Sequence, residues 1–153
     1  MSHNKMALEF LSKAKNEGFA RVSVAAFVAQ LDPTMDEISD VKTAVSEAVT
    51  NAIIHGYNSQ EDGIIRIESE IYENEVTIVI SDKGKGIENI EQAMEPLYTS
   101  RPETNHAGMG FTFMEAFMDE LEVTSTSGQG TKVKMRKKIE RPVVLRSKKR
   151  SVR

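Results

Sequence analysis

The chain has 153 residues, 39% of them hydrophobic and 28% charged, with a formal net charge of −3. That is the size and balance of one ordinary globular domain, which excludes collagen-like, disulfide-scaffold and wholly disordered classes. Zero Cys removes disulfides, thiol catalysis and Cys-based zinc or iron–sulfur sites, and leaves a reducing cytoplasm as the default compartment. The three His, at positions 3, 55 and 106, are too scattered for a metal cluster. The longest nearly apolar stretch, residues 22–31, is about half a bilayer span, and the first ten residues lack a signal-peptide layout.

Charge is unevenly spread. Residues 132–153 hold eleven Lys or Arg against one Glu, whereas residues 1–131 hold twenty-two acidic and nine basic residues. The expected division is therefore a folded domain over 1–138 and a basic, solvated tail over 139–153. Such a tail can meet nucleic acid, acidic protein or lipid, but it has neither aromatics nor periodicity.

In chain order, Phe19, Val22, Ala26 and Phe27 follow helical spacing, so residues 17–31 read as an amphipathic helix ended by Asp32-Pro33. Thr34 with Glu37 three residues on has the form of a capping box. A second helix is predicted from there to about His55, with Gly56 as its stop. Residues 64–71 and 75–81 alternate apolar and polar around a turn at 72–74, the pattern of an antiparallel hairpin. Residues 88–107 have no clean period. A third helix follows over GMGFTFMEAFMDEL, with Phe113, Met114, Phe117, Met118 and Leu121 as a stripe read as core. Residues 121–126 and 131–139 alternate around SGQGT and give a second hairpin. The fold class expected is an α/β (α+β) two-layer sandwich, a mixed, largely antiparallel sheet with helices on one face.

Four signals carry chemistry, each with a bland alternative. On the second helix Glu47, Asn51 and His55 share one flank at about 100° per residue, which an ordinary polar face would also produce. Asp82, Gly84 and Gly86 stand where a strand ends, either a Gly-rich turn or a close approach to a ligand. Gly108, Met109 and Gly110 precede a helix, whose free N–H groups suit phosphate oxygens. Gly128 to Thr131 occupy a hairpin, where a tight turn alone explains the glycines. There is no GxxxxGK[ST] run, HRD-type loop or DFG triplet, so two other kinase architectures are set aside.

Taken in order, EAVTNAIIHG at 47–56, SDKGKGI at 81–87, GMGF at 108–111 and GQGT at 128–131 resemble the ATP-binding superfamily of gyrase, heat-shock protein 90, histidine kinases and mismatch-repair proteins. Within it, residues 19–57, PLYTSRPE at 96–103 and the segment after Gly108 resemble anti-sigma factors of sporulating bacteria that are also protein serine kinases. The resemblance spans roughly residues 6–138. It implies the Bergerat-type, histidine-kinase-like fold and ATP/ADP with Mg²⁺ as cofactors. Asn51 would be a Mg²⁺ ligand, Glu47 the general base, and Asp82 the acceptor of the adenine amine. Gly84 and Gly86 would close over the base, and Thr131 would bond near it. Residues 88–107 would form a lid, with Arg101 in it and Gly108, Met109 and Gly110 after it on the phosphates. The implied partners are sporulation sigma factor F and an anti-anti-sigma factor phosphorylated on serine, both touching Arg21, with the chain a homodimer and neither DNA nor membrane a direct partner. Two alternatives stay open, a nucleotide-gated binding module without transfer and a stress-response anti-sigma kinase with other partners. His55 has no assigned role.

Overall fold

A computed structural model describes residues 3–95 and 110–140. Five strands form one sheet in the order β1-β2-β3-β5-β4, and all four pairings are antiparallel. They are β1 (His3–Leu11), β2 (Ile64–Tyr72), β3 (Glu75–Asp82), β4 (Glu120–Thr126) and β5 (Gly130–Lys138). Helices α1 (Lys15–Val28), α2 (Met35–Asn51) and α4 (Gly110–Phe117) form the other layer, α2 packing between α1 and α4, while α3 (Ile90–Ala93) is a single turn. The β2–β3 and β4–β5 hairpins agree with the alternation in the sequence.

Alternation explains the two-layer form. In β2, Ile65, Ile67, Ser69 and Ile71 are buried, and in β3 Val76, Ile78 and Ile80 are, so one face of each strand meets the helices. Strand β1 was not anticipated. Its apolar residues Met6, Leu8 and Phe10 do recur every second position, but only Phe10 is buried and Met6 and Leu8 stay partly exposed, because an edge strand covers the core from one side alone.

Helix α1 corrects the expected stripe. Ala20, Val24 and Val28 are buried, whereas Phe19 and Val22 remain 57% and 58% exposed. The helix is apolar on several sides, so period alone could not choose its inner face. The small and β-branched stripe was the one that lets α1 approach α2 closely. Residues 29–31 continue as a tight 3₁₀ turn closed by Asp32 at φ 52°.

The α2 start forms as its sequence dictates. Thr34 Oγ1 accepts the Glu37 N–H at 3.1 Å, and Glu37 Oε1 accepts the Thr34 N–H at 2.9 Å. The other Glu37 oxygen accepts the Glu140 N–H at 3.0 Å. Ile139 is fully buried, with its N–H on the Asn74 carbonyl at 2.8 Å, so the packed body extends past the last strand.

Helix α4 is shorter than expected. It ends at Phe117, and Leu121 belongs to β4. Phe111, Met114 and Met118 enter the core, while Phe113 is 37% exposed and stacks on Phe117. Lys137 Nζ donates to the Phe117 carbonyl at 2.8 Å, placing a cation at the negative end of that helix. No helix among the described residues is long and apolar enough to cross a membrane.

Candidate functional site

Strand β3 ends at Asp82, and helix α2 ends beside it. Between them opens a cavity of about 570 Å³, a size suited to a ligand of several hundred daltons. One wall is formed by Ala48 and Asn51 of α2 and by Ala52 and His55 of the turn that continues it. Ile80, Asp82 and Val133 come from the sheet, and Gly86, Ile87 and Glu88 from the loop beyond β3. Gln92, Ala93, Gly110 and Phe111 close the third side, and Thr131 faces in from β5. Residues more than 80 positions apart in sequence thus line one cavity.

Asp82 is a partly buried member of this lining. Burial pushes its carboxyl above the usual value, opposed by hydrogen bonds from the Gly84 and Thr131 N–H groups. The Gly84 N–H reaches Asp82 Oδ1 at 2.8 Å. Thr131 stands directly opposite Asp82 in the β3–β5 register. Its hydroxyl lies 2.9 Å from Ser125 Oγ, which also accepts the Ile87 N–H at 2.7 Å and donates to the Gly130 carbonyl at 3.0 Å. Ser125 therefore orients Thr131 and anchors the loop after Gly86.

Why position 84 must be glycine is plain from its neighbour. A Cβ there would lie 2.1 Å from the Gly56 carbonyl oxygen and 2.4 Å from its carbon. The loop after β3 is packed, backbone on backbone, against the end of the α2 segment. The Lys85 N–H seals this contact on the Gly56 carbonyl at 2.9 Å. That end is not an ordinary α-helical stop: Ala52–Gly56 form a π turn, rather than the α-helix expected to run to His55.

Of the residues singled out in sequence, Asn51, Asp82, Gly86, Gly110 and Thr131 line the cavity, as does the unassigned His55. Gly84 stands behind it. Glu47, one turn before Asn51, is half-buried on α2 and is not among the lining residues; its Oε1 is shut off from solvent. Arg21 is remote, on α1, where its Nε donates to Glu17 Oε2 at 2.9 Å. Arg101, Gly108 and Met109 lie outside the described residues, as does the lid beyond Glu95. Three contributors were missed. Lys85 and Asn89 line the cavity, Lys85 detectable as the cation between two glycines, whereas Ser125 gave no signal because its partners come from two other segments, Ile87 and Gly130–Thr131.

The histidine kinase-like ATPase domain family matches residues 11–137. An anti-sigma F factor of Clostridium beijerinckii is 72% identical over 138 residues, covering 90% of this chain and 96% of that protein. The chain belongs to this family. An anti-sigma F factor of Clostridium novyi is 65% identical over 139 residues, covering 91% of this chain and 97% of the relative. Among solved structures, that of the RsbU and RsbW domains of Rv1364c from Mycobacterium tuberculosis covers 92% of this chain and 33% of its own, with a TM-score of 0.67 at 19% identity. The catalytic domain of histidine kinase ThkA covers 91% and 97%, with a TM-score of 0.54 at 16% identity. These two likenesses concern the fold. The family is one of ATPase domains, so ATP or ADP is the ligand class of this chain.

Proposed function

We propose that this chain is an anti-sigma factor that binds and inhibits sporulation sigma factor F and, as an ATP-dependent protein serine kinase, phosphorylates and inactivates an anti-anti-sigma partner. The observation that carries the reading is the 72% identity to an anti-sigma F factor across nearly the whole of both chains. The cavity walled by Asn51, Asp82 and Thr131 agrees with it.

In this reading Asp82 accepts the exocyclic amine of adenine while Gly84 holds its other side. Guanine would set a carbonyl against the carboxylate, leaving two acceptors face to face, so ATP is preferred over GTP. Thr131, oriented by Ser125, bonds near the base. Gly110, at the start of α4, offers its end of the helix to the phosphates, with Gly108, Met109 and Arg101 as further contacts.

Mg²⁺ fits the donor set. Asn51 offers an amide oxygen at the cavity wall, and no cluster of three His, Cys, Asp or Glu suited to a metal exists among the described residues. A hard ion that keeps its waters and takes phosphate oxygens needs no more from the protein. When bound it would neutralise phosphate charge. Glu47 would accept the proton of the substrate serine hydroxyl as that oxygen bonds to the γ-phosphorus and the bond to ADP breaks.

Partner binding is assigned to α1. Its exposed Phe19 and Val22, three residues apart, share one face of the helix, an apolar patch that a solitary surface helix has no reason to keep, and Arg21 lies on the same helix. The chain acts as a homodimer in this reading.

One observation favours a second reading, a nucleotide-gated sequestering module without transfer: Glu47 does not line the cavity. A single assay separates the two. γ-Labelled ATP, Mg²⁺ and a purified anti-anti-sigma protein are incubated with the intact chain or with Glu47→Ala. Label on partner serine with the intact chain alone supports the kinase and its base. Absence of label, despite ADP binding and complex formation, leaves the gated module.

A further inference from the structure

The π turn that ends the Asn51 helix has an outcome beyond packing. The Tyr57 N–H reaches the Ala52 carbonyl at 2.9 Å, five residues back, and the Ser59 N–H reaches Ile53 at 2.8 Å. Wide turns of this kind concentrate at functional sites. The next two residues, Asn58 and Ser59, have φ of 52° and 62°, a region that Asn tolerates and Ser seldom enters. Such a backbone persists only where its surroundings hold it.

What the turn achieves is the placement of the Tyr57 ring. Its hydroxyl donates to the Ile64 carbonyl at 2.6 Å and accepts the Lys83 N–H at 2.7 Å. Ile64 opens β2, and Lys83 directly follows Asp82. Gly63 leaves the room required, since a Cβ there would lie 2.6 Å from the ring. Burial, opposed by the Lys83 N–H and reinforced by the Asp82 charge, pushes the phenol above its usual value, so it keeps the proton that the Ile64 bond needs.

We propose that Tyr57 is a positioning residue for base recognition: its hydroxyl fixes the backbone immediately after Asp82 and so sets where that carboxylate meets the base. The proposal rests on Asp82 as the adenine acceptor. Three N–H groups of the Asp82 loop then have distinct holders, Tyr57 for Lys83, Asp82 itself for Gly84, and Gly56 for Lys85. Two of the three come from the end of the Asn51 helix, so the base end of the cavity is tied to its metal end. In Tyr57→Phe, water can satisfy Ile64 and Lys83, but water does not hold them at one separation.

The test uses the full chain, with ADP and GDP titrated calorimetrically in the presence of Mg²⁺. Wild type should prefer ADP. Tyr57→Phe should lose about tenfold in ADP affinity, the scale of one or two hydrogen bonds, with GDP little changed, so the preference shrinks by the same factor. Ser12→Ala is the control. The Ser12 hydroxyl donates to the Gln60 carbonyl at 2.6 Å and accepts the Gly63 N–H at 3.0 Å, so this change loosens the same loop without touching Lys83. Its preference should match wild type even if its melting temperature falls. An unchanged preference in Tyr57→Phe overturns the proposal while leaving the adenine reading intact. Absence of any preference in wild type overturns both. Lys83 amide exchange in the wild-type protein gives a variant-free check, because exchange at the rate of a free loop amide contradicts the bridge.

Discussion

Replacing Gly84 with alanine probes the contact on which the nucleotide cavity is built. The added Cβ would stand 2.1 Å from the Gly56 oxygen, and ordinary contact begins at 3.4 Å, so the two backbones must part by roughly 1 Å. Neither side is the end of a flexible side chain that could swing away. Parting them breaks the Lys85 to Gly56 hydrogen bond, now 2.9 Å, at about 1 kcal/mol. The residual overpacking adds about 1–3 kcal/mol. A total of about 2–4 kcal/mol lowers the melting temperature of a domain this size by roughly 8–15 °C. Calorimetry in the absence of nucleotide measures this directly. Gly128→Ala is the internal comparison: its Cβ meets nothing within 4 Å, although its φ is 80°. Only backbone strain of about 1–2 kcal/mol applies there. If Gly84→Ala melts within 2 °C of wild type and keeps the Lys85 amide protected, the backbone-on-backbone account is wrong.

Three further outcomes follow from the same geometry. Asp82 has a raised carboxyl pKa in the folded state, so its ionisation opposes folding: this penalty is absent below the unfolded value near 3.8 and builds as pH rises through the folded value. Asp82→Asn should therefore lose ADP binding yet gain thermal stability relative to wild type on going from pH 4 to pH 7, and melting curves at the two pH values showing a relative loss would contradict this. Phe19→Ala should change stability by less than about 0.5 kcal/mol, whereas Val24→Asp, which buries an unpaired charge, should prevent stable folding at 25 °C; urea titration distinguishes the two faces of α1. Arg21→Glu should weaken complexes with both proposed partners while ADP affinity stays unchanged, and unaltered pull-down of both would remove Arg21 from the interface.

Local chemistry explains which parts of the molecule were legible beforehand. The Thr34–Glu37 box and the alternation of β2 through β5 are written within a few residues, so helix α2 and both hairpins could be read directly. The inner face of α1 was not readable, because choosing between the Phe19–Val22 side and the Ala20–Val24–Val28 side requires knowing how near α2 comes. Strand β1 has the alternation Met6, Leu8, Phe10, too short and too polar to stand out until β2 pairs with it. The site shows the same division. Asn51, Asp82 and Thr131 stood out only through the resemblance of four motifs taken in order, since each motif alone has a bland reading, and the three do share a cavity. Ser125 and Tyr57 each use a hydroxyl to accept a backbone N–H from a distant segment, Ile87 and Lys83 respectively, and neither residue type signals such a role by itself.

The position of β5 has a consequence for the chain as it is made. Among the described strands the last to be synthesised, β5, is not at an edge but lies between β3 and β4. Until it arrives, β3 presents an unpaired row of backbone groups backed by Val76, Ile78 and Ile80, and β4 has no neighbour in the sheet. An exposed edge of that kind invites pairing with other chains. A ribosome-bound or prematurely ended product is thus sticky and without a complete nucleotide cavity, since Thr131 and Val133 arrive only with β5. Closing the sheet and completing the cavity are thus one event: both wait for β5.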